Sequence, residues 1–450
     1  MKVIVVRFAP SPTGYMHIGN LRTALLNYLF ALNKKQAGED VSFVLRMDDT
    51  DTERSKPEYE AAVYEALNWM KISWDRLEHQ SARLDRYREV VEQLRAKGLI
   101  YACYETAEEL EYKRRRQRAR GLPPVYDRAG MHLTDEQRKA YEAEGRRPHY
   151  RFVLEHKETS WDDMVRGHCS YNGAHLSDPI IVREDGTFPY MLPSVIDDMD
   201  FGITHVIRGE DHVTNTAVQI QMFEALGGKV PVFGHPPLLT GKEGKLSKRL
   251  GSVNFRDLRE AGIEPMAIAC LLARLGTSDA TVVETSMEAL APHFDLTKFG
   301  RAQPHFDTQD LFKLNPRIVH ALPLSEVNAR LEEEGKAPVS EQLWAAVSPN
   351  LSKVDDINDW VKICGEDLVF DLNAEDRAFA RQAAELLPAG EFDENTFGAW
   401  TAAVKEKTGR KGRDLFHPIR LALTGLEQGP ELKMLLPVLG YEKTLKRLQG

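Results

Sequence analysis

The stretch Val3-Ile-Val-Val6, Arg7-Phe-Ala-Pro-Ser11-Pro-Thr13-Gly14-Tyr-Met-His17-Ile18-Gly19-Asn20 reads as a buried strand, a tight turn and the start of a helix. Apolar residues then recur at helical spacing from Leu21 to Leu32. With the helix beginning near Gly19 and Asn20, free backbone N–H groups and the positive end of the helix dipole face the turn. A triphosphate suits that arrangement. The Thr13 hydroxyl and the His17 imidazole, both in this turn, can donate to the oxygens of a pentavalent α-phosphate. A lone His in a turn rich in Pro and Gly would carry little weight; the whole string carries more.

A second strand, Val41-Ser-Phe-Val-Leu45, ends near the acidic run Asp48-Asp49-Thr50-Asp51. Strand, helix and strand at this spacing predict an α/β fold with a parallel, doubly wound sheet. Ligands in such sheets sit beyond the carboxyl ends of the strands. From about Tyr101 the chain reads as an α+β insertion. It carries the charged stretch Glu108 to Arg120, Gly121-Leu-Pro-Pro124, and the β-type runs Tyr150–Leu154 and Pro179–Val182. Thr204-His-Val-Ile207 resumes the buried-strand pattern, followed by Arg208-Gly-Glu-Asp-His212 and a helix over Asn215–Leu226. From Pro304 onward the spacing is almost wholly helical, in segments separated by Pro, Gly, Asn and Asp.

A chain of 450 residues holds more than one domain, and 42% hydrophobic with 28% charged residues is the balance of a soluble protein. No apolar run is long enough to span a bilayer, and the start lacks a signal-peptide pattern. The cysteines Cys103, Cys169, Cys270 and Cys364 are scattered, with no CxxC pair, which suits a reducing cytoplasm. A net charge of −9 argues against a general nucleic-acid binder but leaves room for a local basic face. The densest basic run, Lys113 to Arg120, falls on a helix that spreads its charge around the circumference. It suits a solvated face and phosphate contact equally. His168-Cys169 with His175 has no second pair to make a metal site. Asn350-Leu-Ser352 matches a glycosylation sequon, with nothing to indicate secretion.

Lys245-Leu-Ser247-Lys248-Arg249, behind the glycine-rich Thr240-Gly-Lys-Glu-Gly244, describes a cationic flap able to neutralise a leaving pyrophosphate. It lacks P-loop spacing. Arg7, Asp48 and Arg208, all near strand ends, form a trap for an acidic amino acid. Guanidinium groups suit a carboxylate, and Asp48 suits an ammonium group. Structural ion pairs at a sheet border account for the same residues equally well. The Asp48–Asp51 cluster also suits Mg²⁺, or the cap of a helix over Glu53–Leu67.

On these residues the chain resembles the class I aminoacyl-tRNA synthetases, and among them the bacterial glutamyl-tRNA synthetase family. The first string is that family's version of a His-Ile-Gly-His signature, and Lys245 to Arg249 its version of a Lys-Met-Ser-Lys-Ser loop. Further matches are Arg46-Met-Asp-Asp-Thr-Asp51, Arg183-Glu-Asp-Gly-Thr-Phe-Pro-Tyr190, Asp197-Asp198, Gly202 to His212 and Leu415 to Gly425, so the resemblance covers essentially the whole chain.

The resemblance implies a Rossmann-like catalytic domain in two halves, 1–100 and 191–250, interrupted by an acceptor-binding insertion at 101–190. A stem-contact helical linker at 251–310 and an all-α anticodon-binding domain at 311–450 follow. It implies a glutamate site of Arg7, Ser11, Asp48, Tyr190, Ser194, Arg208 and His212. Arg7 and Arg208 would take the side-chain carboxylate, and Asp48, usually Glu in the family, the α-amino group. ATP, with Mg²⁺, would meet His17, Gly19, Asn20, Lys245, Ser247, Lys248 and Arg249, with Thr13, His17, Lys245 and Lys248 catalytic. Arg54 would lie near the acceptor end of tRNA. The implied reaction is activation of glutamate to glutamyl-adenylate and transfer to tRNA for glutamate, with tRNA for glutamine an open second acceptor. A monomer in the cytoplasm is expected. Many family members hold zinc in the insertion through a Cys-x-Cys pair; here Tyr101-Ala-Cys103 and Tyr126 to Gly130 lack the matching cysteines, so no zinc is expected. Arg410, Lys411, Arg413 and Arg420 are the basic candidates for anticodon contact. The rival readings are an enzyme that glutamylates queuosine in tRNA, which lacks the helical domain, a small-molecule nucleotidyltransferase of the same ATP-binding superfamily, typically far shorter and without an acidic-substrate trap, and an inactive tRNA-binding paralogue.

Overall fold

The computed structural model describes residues 3–241, the backbone of 244–245, and 254–450. Chain contacts divide it into two compact units. One comprises 1–258, 268–282 and 286–307; the other comprises 259–267, 283–285 and 308–450.

In the first unit, β1 (Ile4–Phe8), α1 (Ile18–Gln36), β2 (Val41–Met47), α2 (Pro57–Trp69), β3 (Arg76–His79) and α3 (Leu84–Ala96) follow one another. The chain then builds the insertion from β4 (Ile100–Cys103), α4 (Ala107–Ala119), α5 (Asp135–Ala143), β5 (His149–Phe152), β6 (Glu158–Asp163), β7 (Gly167–Asn172) and β8 (Ile180–Val182). It returns through α6 (Met191–Asp200), β9 (His205–Ile207), α7 (Val213–Leu226) and β10 (Val232–Gly234). Five parallel strands pair in the order β10-β9-β1-β2-β3. The doubly wound reading therefore holds. The chain winds outward from β1 to β3, then restarts on the other side of β1 with β9. That reversal opens a crevice between the carboxyl ends of β1 and β9.

The central strands are buried because helices cover the sheet: Val6, Val206 and Ile207 are fully enclosed, as are Leu21, Leu25 and Leu29 of α1. Arg7 interrupts the apolar pattern of β1, yet the ladder continues through it, opposite Val44. In the insertion, β4-β5-β8 form an antiparallel sheet and β6-β7 a hairpin. The hairpin gives little sequence signal because its buried positions include Thr159 and Asp163.

The second unit is helical around a core holding Trp344, Trp360 and Trp400. A helix over Arg413–Thr424 contains Pro418, a residue that ordinarily argues against one. Proline leaves the Asp414 carbonyl without its helical donor, and Arg410 Nη1 reaches that oxygen at 3.5 Å.

Candidate active site

An open cleft of about 600 Å³ lies at the switch point. Its walls come from the end of β1 (Arg7 and Phe8), the turn Pro10 to Asn20, the end of β2 (Arg46) and Asp48 just beyond it, Tyr190 before α6, and Ile207 to His212 at and beyond the end of β9. Arg7, Ser11, Thr13, His17, Gly19, Asn20, Asp48, Tyr190, Arg208 and His212 thus share one cavity. A smaller adjoining cleft shares Ser11, Thr13, Asp48 and Tyr190, and adds Arg54 and Arg183. Arg54 is exposed and paired with Asp51 at 2.6 Å.

His17 is the N-cap of α1. Its Nδ1 accepts from the N–H groups of Gly19 (3.1 Å) and Asn20 (3.4 Å), and Asn20 Oδ1 accepts from the His17 N–H (3.4 Å). This corrects the expectation that the Gly19 and Asn20 N–H groups are free: the imidazole folds back and satisfies them. With Nδ1 accepting, a neutral His17 carries its proton on Nε2. The surrounding protein lowers its pKa through desolvation, which favours that neutral form. His17 is then a hydrogen-bond donor held in one orientation by the helix it caps.

The other end of the cleft is a charge lattice. Arg46, fully buried, grips Asp48 with two contacts (Nε–Oδ1 2.6 Å, Nη2–Oδ2 3.1 Å) and reaches Asp198 at 2.8 Å and Ser194 Oγ at 3.2 Å. Arg7 Nε meets the same Asp198 oxygen at 3.3 Å. Ser194, Asp197 and Asp198 fall three and four positions apart on α6, so one helical face delivers all three toward the cleft floor. Burial opposes the Arg46 charge, but Asp48, Asp198 and Asp197 outweigh it and raise its pKa. Burial pushes Asp48 upward against the pull of Arg46 and Arg7.

Arg208 differs. Its Nη1 donates to Tyr190 Oη (2.5 Å), its Nη2 to Thr216 Oγ1 (2.6 Å) and its Nε to His235 Nε2 (3.3 Å). Among the described residues no carboxylate lies within ion-pair reach of it. Desolvation lowers its pKa, with Tyr190 pulling the other way and Arg7 adding to the fall. His212 is pushed down to about 4, first by burial and then by the positive Arg208.

The sequence expectations therefore divide. Arg7, Asp48 and Arg208 do line one pocket: Arg7 and Asp48 stand in ion pairs, while Arg208 faces the cleft without an anion. Ser194 is buried behind the cleft wall and reaches it only through Arg46. The side chains of Lys245, Ser247, Lys248 and Arg249 lie outside the described residues; the Lys245 backbone pairs with Thr240. Thr216 and His235 were missed, because only the tertiary fold brings them against the pocket residues; Arg46 stands in the quoted string with Asp48, but its partners Ser194 and Asp198 lie far along the chain.

The insertion does not supply the thiolate-rich donors of a structural zinc site. The Tyr101 hydroxyl is given to Asp178 (2.7 Å), and a Cβ on Gly130 would come within 2.6 Å of Cys103 Sγ. Burial pushes the Cys103 thiol up to about 11. Glu105 and His149 offer ligand atoms within 4.8 Å of that sulfur, the one such grouping among the described residues. Glu105 Oε2 and His149 Nε2 are buried there without hydrogen-bond partners. Tyr126 Oη lies 2.9 Å from Glu105 Oε1 and 3.4 Å from the sulfur. A single thiol, a carboxylate, an imidazole and a phenol form a mixed set rather than a cysteine cage.

Residues 3–313 match the model for the catalytic domain of class I tRNA synthetases (E and Q), and residues 321–450 match an anticodon-binding domain. The chain belongs to this class I synthetase family. It is 52% identical to glutamate–tRNA ligase 1 of Maricaulis maris over 447 residues, 99% of each chain. It is equally identical to glutamate–tRNA ligase 1 of Rhodospirillum rubrum, over 100% of this chain and 99% of that one. A glutamate tRNA ligase from Elizabethkingia meningosepticum, solved with its amino acid, superimposes with a TM-score of 0.80 at 28% identity, covering 99% of this chain and 98% of that one. No described helix is long and apolar enough to cross a membrane.

Proposed function

We propose that the chain is a glutamate–tRNA ligase that activates L-glutamate with ATP and transfers it to the terminal adenosine of tRNA. The observation that carries this reading is Arg208: a buried guanidinium held by three neutral groups, opening onto the cleft. A carboxylate is the ligand that completes it. The glutamate side chain reaches Arg208 and Arg7, its α-amino group meets Asp48 with Tyr190 and Ser11 alongside, and its α-carboxylate points toward the turn at Thr13 and His17. Glutamine in the same pose would leave the Arg208 charge uncompensated.

ATP lies along the turn and the start of α1, near Gly19 and Asn20. The glutamate α-carboxylate attacks the α-phosphorus in line, and pyrophosphate leaves. His17 Nε2–H and the Thr13 hydroxyl donate to the phosphate oxygens as charge gathers there. Lys245 and Lys248, with Ser247 and Arg249, would neutralise the leaving pyrophosphate. Mg²⁺ bound with ATP supplies further charge neutralisation on the phosphates. The acyl group then passes to a ribose hydroxyl of the terminal adenosine and AMP leaves. Positioning and charge stabilisation carry both steps, with no covalent enzyme intermediate.

In this reading 1–100 and 191–250 are the catalytic halves, and 101–190 binds the acceptor arm, with Arg54 near its end. Residues 251–310 contact the stem and 311–450 read the anticodon. Arg413 and Arg420 border an open groove with Phe416 and His417, whereas Arg410 is engaged with Glu375 and stacked on Phe379. Lys411 is exposed nearby. The insertion needs no zinc, and the enzyme works as a cytoplasmic monomer. ATP–pyrophosphate exchange with tRNA present tests the reading: glutamate supports exchange and glutamine does not, while no exchange with either at saturation would point to the inactive paralogue.

A further inference from the structure

Behind Arg208 a second carboxylate is buried that the reaction itself does not use. Asp163, the last residue of β6 in the insertion, has a fully buried side chain. Its Oδ1 accepts from the backbone N–H groups of Val165, Arg166 and His235, each at 3.0 Å, and its Oδ2 lies 2.5 Å from His235 Nδ1. A carboxylate so placed is an acceptor, so His235 Nδ1 carries the proton. His235 Nε2 is then a lone pair. It faces Arg208 Nε at 3.3 Å and Thr216 Oγ1 at 3.0 Å, and Arg208 Nη2 completes the triangle on the same hydroxyl. The opposite tautomer would aim an N–H at the guanidinium's own N–H. Tautomer and Arg208 orientation are therefore set together.

The backbone reinforces the link. Met164 N–H donates to Phe233 O at 2.9 Å, and Arg166 pairs with Glu210 at 3.0 Å, so the β6–β7 turn grips both β10 and the loop after β9. We infer that Asp163 is a positioning residue for amino-acid recognition: through His235 it fixes the acceptor face that holds Arg208 in the pocket, tying the insertion to the specificity of the site. This rests on the reading in which Arg208 takes the substrate carboxylate.

The test combines Asp163→Asn, Arg208→Lys and the double variant in ATP–pyrophosphate exchange with tRNA present. Asp163→Asn is expected to raise KM for glutamate about tenfold to a hundredfold and to leave KM for ATP unchanged. In the double variant the effects on KM for glutamate are expected to be less than additive, since both act through one guanidinium. A purely structural role would move both KM values or neither, and the two variants would add. Nitrogen-15 spectra of the wild-type protein serve even where a variant fails to fold: His235 protonated on Nδ1 is expected, and protonation on Nε2 overturns the proposal. If Arg208→Lys raises KM for glutamate while folded Asp163→Asn does not, the positioning role fails and the function stands. If Arg208→Lys leaves KM for glutamate unchanged, the reading of Arg208 fails and the positioning role with it.

Discussion

Arg208 sets burial against charge most directly. Its neighbours Tyr190, Thr216 and His235 satisfy its hydrogen bonds without neutralising it, and an uncompensated buried cation is costly. Arg208→Gln should therefore lose about 2–5 kcal/mol of transition-state stabilisation, read as kcat/KM for glutamate, with KM for ATP little changed. Equal losses toward both substrates would count against the assignment. Two other residues give a pH effect. Burial holds His149 and His212 down to about 4, so both are neutral in the folded protein at neutral pH. The unfolded chain protonates them near 6.5. Between those values the unfolded state binds more protons, so this contribution to stability is full above the higher one and shrinks as pH falls through the window. The thermal midpoint should be lower at acidic pH within that window than at neutral pH; a rise would contradict it. At this scale Arg7, His17, Tyr190 and Arg208 were legible because they stand in local strings. Thr216 and His235 were not, because nothing in their neighbours' spacing marks them.

Among elements, α6 carries the lattice under the pocket. Asp198 serves Arg7 and Arg46 at once, and both guanidiniums are buried. Asp198→Ala should cost about 3–5 kcal/mol of stability, because it strands the buried Arg7 and takes one carboxylate from Arg46, which keeps Asp48. Denaturant unfolding measures it, and a change below about 1 kcal/mol, the scale of a surface pair, would show the lattice to be dispensable. Helix α1 and strands β1 and β2 were readable from periodicity and from the turn between them. The onset of α1 was misread in one respect: its first N–H groups looked free, and no pattern announces that His17 caps them. The hairpin β6–β7 was invisible because Thr159 and Asp163 face inward where apolar residues would signal a strand. The helix over Arg413–Thr424 was obscured by Pro418.

At the scale of the whole molecule, a net charge of −9 and a tRNA substrate are compatible because recognition needs local contacts. Chain order was legible: strands of one sheet interrupted by an insertion, then helices. The order β10-β9-β1-β2-β3 explains why segments two hundred residues apart, around Arg7 and Arg208, meet in one cleft. Anticodon choice was not legible, since spacing along the chain does not show which basic side chains group together; in the fold Arg413, Phe416 and Arg420 border one open groove. The most direct measurement is transfer of radiolabelled glutamate, with ATP and Mg²⁺, onto purified tRNA for glutamate and, in parallel, tRNA for glutamine. Charging of tRNA for glutamate is expected, with charging of the second defining the breadth of acceptor choice. Charging of neither, by folded protein and with fully modified tRNA also supplied, would contradict it.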